Sequence, residues 1–445
     1  MNQLLSDNLL KKKNIIWTLW FCEQKYIKMM KNIISRIVIL YFLLLLLFSL
    51  SVICVHFIPK RYLYQNVKQS VNIIEHEGLV HEMWGNPFYR LDTFTDCLMF
   101  NEVLCADDNN PVMSAFANNF HFQDETDMLT DTKDVLKYKD ENISLSSYAR
   151  YWHGYMIVLR PLLTFTDYGG IRIINIFALF SLLLIISVLF YRKGYKKMSV
   201  TFLLTMLFVN LYVVANTIQF STCFYISFMG ILLILLYPTI VQNKNYILLF
   251  FGIGGITAFL DLLTTPLITL GLPLLTYLGI YPQKRTIIKT CVASISWGFG
   301  YGLIWASKWI LSYIITGQNV LLSAENAAKT RVGRLNVINN IKWAVDIDLQ
   351  KIFDSWLFYV IMLSILFLII LLLIYLKYKR CLYTFSLMKK YTYIIIIVSF
   401  VPIWFYILKN HSFVHFWFTW RNIVLPLWCI LLYFSYWINI KGASR

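Results

Sequence analysis

Apolar runs of the length that crosses a bilayer recur along the whole chain, separated by polar connections. The first covers 37–58, and others follow at 171–191, 199–217, 221–241, 246–262, 264–280, 290–314, 355–376, 391–408 and 422–440. Hydrocarbon offers the backbone no hydrogen-bonding partner, so a run of roughly 20 apolar residues folds as a helix that satisfies its own N–H and C=O groups. None of these runs alternates in hydrophobicity as a barrel strand does. The pattern predicts an all-α fold, a polytopic transmembrane bundle of about ten spans. The apolar stretch over 246–280 is divided at Asp261-Leu-Leu-Thr-Thr-Pro266, where an acid and a proline interrupt it and a hairpin turned at the outer surface fits.

Two stretches fall outside the pattern, 59–170 and 315–354. The first holds 16 of the 23 acidic residues, a turn-forming Asp107-Asp-Asn-Asn-Pro111 and an aromatic-rich segment read as a helix from Ser147 to Leu163. Basic residues gather instead in short connections: Arg192, Lys193, Lys196 and Lys197; Lys284, Arg285 and Lys289; Lys377, Lys379, Arg380, Lys389 and Lys390. By the positive-inside rule those loops are cytoplasmic. Both termini then lie inside, 1–36 as an N-terminal segment and 441–445 as a tail, with 59–170 and 315–354 outside and helices 2–7 and 8–10 at 171–314 and 355–440. Lys25, Lys28, Lys31 and Arg36 precede the first run and no small-residue cleavage site follows it, so it reads as an uncleaved anchor. Met29 or Met30 is a natural start just before that anchor. A net charge of +17 in a chain that is 58% hydrophobic and only 14% charged is therefore a topology signal rather than a nucleic-acid footprint. The expected location is a bacterial plasma membrane.

Candidate chemistry concentrates on the outer side. Asp92 and Asp96 stand four apart, on one face of a helix if this stretch is helical, where paired acids share a divalent cation (Mg2+ or Mn2+) or act as general base and modulator; the plain alternative is a solvated acidic loop. His153, in Arg150-Tyr-Trp-His-Gly-Tyr155, is a phosphate or metal ligand or a residue of the interfacial aromatic belt. Asp261 and Lys308 lie near the outer ends of apolar runs, where a charge is costly unless it faces a cavity or finds a partner; if both face one cavity, the lysine neutralises a lipid-linked phosphate and the acid orients a sugar hydroxyl, while snorkelling is the plain reading of Lys308. In Asn410-His-Ser-Phe-Val-His-Phe-Trp-Phe-Thr-Trp-Arg421, His411 and His415 are four apart with no nearby acid to complete a metal site, so phosphate or sugar contact by them and by Arg421 fits better. Trp417 and Trp420 suit carbohydrate stacking or an aromatic belt. Arg331 and Arg334 are possible phosphate clamps. Cys97 and Cys105 share the outer segment, where a disulfide is permitted. Nucleotide-binding, serine-hydrolase and zinc-protease signatures are absent, and Gly252, Gly254 and Gly255 fall inside an apolar run, where close helix packing explains them.

The assembled pattern resembles the GT-C superfamily of integral-membrane glycosyltransferases, which use polyprenyl-phosphate sugars. A cytoplasmic N-terminus, one anchor, a long outer first loop with early acids and a helical bundle behind it are shared. The strings Tyr151-Trp-His-Gly-Tyr155, Asp261-Leu-Leu-Thr-Thr-Pro266, Trp305-Ala-Ser-Lys-Trp309 and Asn410-His-Ser-Phe-Val-His415 look like those of bacterial membrane proteins grouped with it. Asp92 lies more than 30 residues beyond Ile58, further from the anchor than that superfamily's acidic motif usually stands. The resemblance implies an inverting transfer on the outer face to a glycan, lipid or protein acceptor. Asp92 or Asp96 would be the base, and Lys308, Arg421 and His411 would stabilise the departing lipid phosphate. An O-antigen-type polymerase or ligase relies on later loops rather than an acidic first loop, and a flippase or transporter predicts broken helices and mid-membrane polar groups.

Overall fold

The computed structural model describes residues 31–138, 143–281, 285–332 and 382–442. Arg334, the run expected at 355–376 and the N-terminal lysines up to Lys28 lie outside them.

The first helix, α1 (Lys31–His56), is lined on one side by exposed Val38, Phe42, Leu46 and Leu50 and on the other by buried Leu44, Phe48 and Val52, so it sits at the rim of the molecule with an apolar face outward. Four more segments are long and apolar enough to cross a bilayer: α7 (Tyr168–Arg192), α10 (Ile218–Leu236), α13 (Thr286–Thr316) and the run Phe416–Ser435. These are the helices of a membrane protein. The expected count of about ten spans is not reached among the described residues. The run at 199–217 breaks at Asn210, whose left-handed backbone separates α8 (Lys196–Phe208) from α9 (Leu211–Ala215). Two other runs form α11 (Asn245–Leu260) and α12 (Pro266–Ile280), of 16 and 15 residues. At 1.5 Å per residue these reach only about 24 Å, short of a ~30 Å hydrocarbon core.

α10 and α12 are buried along most of their length and form the centre of the bundle, with α7, α8, α11 and α13 around them. α11 and α13 cross at backbone contact. A Cβ on Gly254 would lie 2.0 Å from the Trp297 carbonyl oxygen, and one on Gly300 2.1 Å from that of Phe251. Gly255 faces Ile304 and Leu44, whereas Gly252 faces open space.

Residues 59–138 and 143–167 form a small, mainly helical layer. α2 (Lys60–Glu77), α3 (Thr93–Leu104) and α5 (Met128–Tyr138) pack through Leu63, Val67, Val71, Phe100, Val103 and Val135. β1 (His81–Glu82) pairs antiparallel with β2 (Arg90–Leu91), and β3 (Asn119–His121) with β4 (Leu145–Ser147), Asn119 opposite Ser147. Between α3 and β3 runs the short α4 (Pro111–Ala117). The helix expected over 147–163 is not formed. Ser147 ends β4, the chain turns through 148–155, and only α6 (Met156–Leu162) is helical. The cause is the docking of that turn: His153 adopts φ 53°, and the Gly154 N–H donates to the Phe259 carbonyl at 2.9 Å, a contact so close that an added Cβ would lie 2.5 Å from that oxygen. Arg160 then ties α6 to the end of α1, donating to the carbonyls of Val55 at 2.9 Å, which also accepts the Ile58 N–H at 3.3 Å, and of Ile58 at 2.7 Å. The remaining helices are α14 (Val320–Val332), α15 (Leu382–Ile407), α16 (Lys409–Val414), α17 (Phe416–Thr419) and α18 (Val424–Gly442).

Candidate functional site

Asp92 is the N-cap of α3 and Asp96 lies in its first turn, so the spacing of four does put both acids at one helix end. They are not solvated: Asp92 is 3% exposed and Asp96 0%. Their surroundings separate them. Asp96 accepts the Tyr168 hydroxyl at 2.5 Å and the Ile218 N–H at 3.1 Å on one oxygen, and the Gln219 N–H at 3.3 Å on the other. Those amides begin α10, where orphan N–H groups and the positive end of the helix dipole favour an anion. Burial nevertheless pushes the Asp96 carboxyl up to about 7, against the pull of the Tyr168 hydrogen bond. Asp96 is committed to holding α3 against α7 and α10.

The hydrogen bonds of Asp92 come from its own helix, from the Thr95 hydroxyl and N–H. Burial raises its carboxyl above the usual carboxylate range, opposed by Thr95 and then by Arg90 and Arg421. Arg90 lies over the Trp417 ring at 4.0 Å, and Arg421 donates to the Trp417 carbonyl at 2.6 Å and lies over Phe220 at 4.4 Å. Arg421 is 1% exposed, yet its Nε and Nη2 have no partner among the described residues, and the same holds for Arg90 Nε, Trp417 Nε1, Thr217 Oγ1 and Gln219 Oε1. A buried polar atom left unpaired costs about 1–3 kcal/mol. Arg90 and Arg421, both near enough to Asp92 to favour its ionised form, therefore keep unpaired N–H donors of the kind that suit an anionic group. Trp420 does not offer its face there, being 8% exposed with its Nε1 donating to the Phe88 carbonyl at 3.0 Å.

Other sequence candidates are structural in this fold. Lys308 is fully buried, and its three protons go to the carbonyls of Ala115 at 3.2 Å and Phe116 at 3.1 Å and to Asn118 Oδ1 at 2.8 Å, so it neither snorkels nor reaches a lipid phosphate. It closes the C-terminal end of α4. Asp261 caps the turn between α11 and α12 through the N–H of Thr264 at 3.1 Å and its hydroxyl, and it does not share a cavity with Lys308. His153 belongs to a buried network rather than an aromatic belt: its Nε2 donates to the Tyr148 carbonyl at 3.0 Å, and its Nδ1 lies 2.7 Å from the Tyr155 hydroxyl and 3.0 Å from Glu102. His411 Nε2 donates to the carbonyl of Leu263, a residue held at φ 70°. Burial lowers His411 to about 4 and His415 to about 3, so at neutral pH both are uncharged and supply hydrogen bonds, not charge, to an anion. Their rings are 4.9 Å apart, but among the described residues no group of three or more His, Cys, Asp or Glu side chains is placed to hold a metal. Cys97 and Cys105 sit eight residues apart on α3 and its C-cap, about 12 Å along the axis, too far to bridge.

Arg331 and His415 line a second place, an open cavity of about 650 Å³ between α14 and the turn at 148–155, together with Arg150. Sequence reasoning gave no role to Arg90, Arg150, Thr217 or Gln219. Arg90, two residues before Asp92, was within reach of such reasoning; Thr217 and Gln219 were not, because nothing local marks the start of α10 as facing α3. Comparison of the chain with models of protein families, with curated proteins and with solved structures finds no match.

Proposed function

We propose that this chain is an integral-membrane glycosyltransferase that moves a sugar from a polyprenyl-phosphate donor to a glycan, lipid or protein acceptor on the outer face of a bacterial plasma membrane, with both termini cytoplasmic. The reading rests above all on Asp92: a buried carboxylate at a helix start, hydrogen-bonded only from within its own helix by Thr95, and near Arg90 and Arg421, which carry unpartnered N–H groups. Its orientation is supported by the acidic 59–170 segment and the basic short connections.

In this reading the Asp92 carboxylate takes the proton of the acceptor hydroxyl as that oxygen attacks the anomeric carbon. The bond from that carbon to the phosphate oxygen breaks, and the phosphate leaves with the electron pair, opposite the attack, so the configuration inverts. Arg421 and Arg90 stabilise the charge that develops on the leaving phosphate, in a buried setting where such stabilisation is strongest. Asp96 keeps α3 in register with α10, and Trp417 holds both guanidiniums in place. A test incubates membranes containing the overproduced chain with a panel of polyprenyl-phosphate hexoses and native acceptor extract. Release of polyprenyl phosphate together with a labelled product is expected from one of them; folded protein that releases it from none sinks the reading.

A further inference from the structure

We propose that the cavity beneath α14 binds a phosphoryl group through Arg150 and Arg331, as an anion site separate from Asp92. Both guanidinium carbons lie 5.7 Å from the centre of the Tyr151 ring, so the two cations are within about 11 Å of each other. Trp305 stacks on that ring at 5.6 Å and 22°, which occupies one of its faces. Arg150 is fixed from behind, since its carbonyl accepts the indole N–H of Trp305 at 2.6 Å and of Trp309 at 2.9 Å.

The charge is uncompensated. The lining of the cavity contains two arginines and a histidine but no carboxylate, and neither arginine forms an ion pair among the described residues. Arg150 Nε and His415 Nδ1 are buried without partners. Like charges brought together at a partly buried wall repel unless an anion lies between them, and planar guanidiniums match phosphate oxygens two at a time. Beside Arg331, Lys329 already has a counter-ion, Glu325 at 2.5 Å, on the exposed side of the same helix. That contrast makes Arg331 the residue of α14 left for a ligand. The site stands whether or not Asp92 performs transfer. Its phosphoryl group belongs to a lipid headgroup or to a soluble phosphate.

Titration calorimetry on the full chain in detergent, with sodium pyrophosphate, inorganic phosphate and geranyl phosphate as probes, tests this. Saturable binding of at least one probe is expected, weakened tenfold or more by Arg331→Gln and by Arg150→Gln and unchanged by Lys329→Gln. Tighter binding of geranyl phosphate than of phosphate assigns a lipid headgroup, and equal binding a soluble anion; either supports the site. No saturable binding overturns the proposal. So does equal weakening by Lys329→Gln, which indicates diffuse attraction to a basic surface.

Discussion

At the scale of single residues, the two acids of α3 show why spacing alone does not assign chemistry. Asp92 and Asp96 are equivalent in the sequence, and they differ in what holds them: the first amides of α10 and the Tyr168 hydroxyl occupy Asp96, whereas Asp92 is held by Thr95 of its own helix. Asp96→Asn should therefore act on stability, since its amide NH2 would face N–H donors. A cost of about 1–3 kcal/mol is expected, read as a lower midpoint of thermal unfolding in detergent. For Asp92 the sign of a pH effect is fixed by its neighbours. In the proposed mechanism the active form is the carboxylate, so transfer should rise with pH through its raised pKa. Arg90 favours that ionised form. Arg90→Gln should move the acid limb of kcat/KM to higher pH, and a shift to lower pH would contradict this placement. Lys308 and His153 were credible ligands by residue type and depth. The partners of Lys308, some 190 residues away, and the Glu102 partner of His153, 51 residues away, leave no local trace in sequence, although Tyr148 and Tyr155 beside His153 are local.

Among elements, the long apolar helices were legible because a hydrophobic run has one solution in hydrocarbon. α1, α7, α10 and α13 lie within a few residues of their expected limits. The failures occur where tertiary contacts override local preference: the turn at 148–155, bent to dock on Phe259, and the break at Asn210. The Gly254 contact was legible as packing, and it has a measurable consequence. Gly254→Ala places a methyl group against backbone that has no side chain to rotate away, so α11 and α13 must separate, and thermal stability in detergent should fall by a few kcal/mol. An unchanged midpoint would mean that the crossing is looser than described. Lys308→Met leaves the Ala115 carbonyl and the Asn118 amide oxygen without the lysine donor and the Phe116 carbonyl with Ser312 alone. Limited proteolysis should then cut faster around α4, where the latch held the small helical layer to α13.

For the molecule as a whole, an apolar bundle carries a compact polar layer, and the proposed base sits where the two meet: Asp92 on the layer, Arg421 on the bundle, and the start of α10 beside them. Sidedness can be read directly. With Cys22, Cys54, Cys291 and Cys381 replaced by serine, Asn109→Cys should react with a membrane-impermeant maleimide in intact cells, while Lys193→Cys should react only after lysis. The reverse pattern would invert the topology. The central claim is that Asp92 is the base for sugar transfer, and the most direct measurement is the rate of transfer from a polyprenyl-phosphate sugar in proteoliposomes by the native chain and by Asp92→Asn. A general base contributes a factor of roughly 10² to 10⁴. The account predicts a loss on the order of a thousandfold at an unchanged unfolding midpoint, and undiminished transfer by the variant would contradict it.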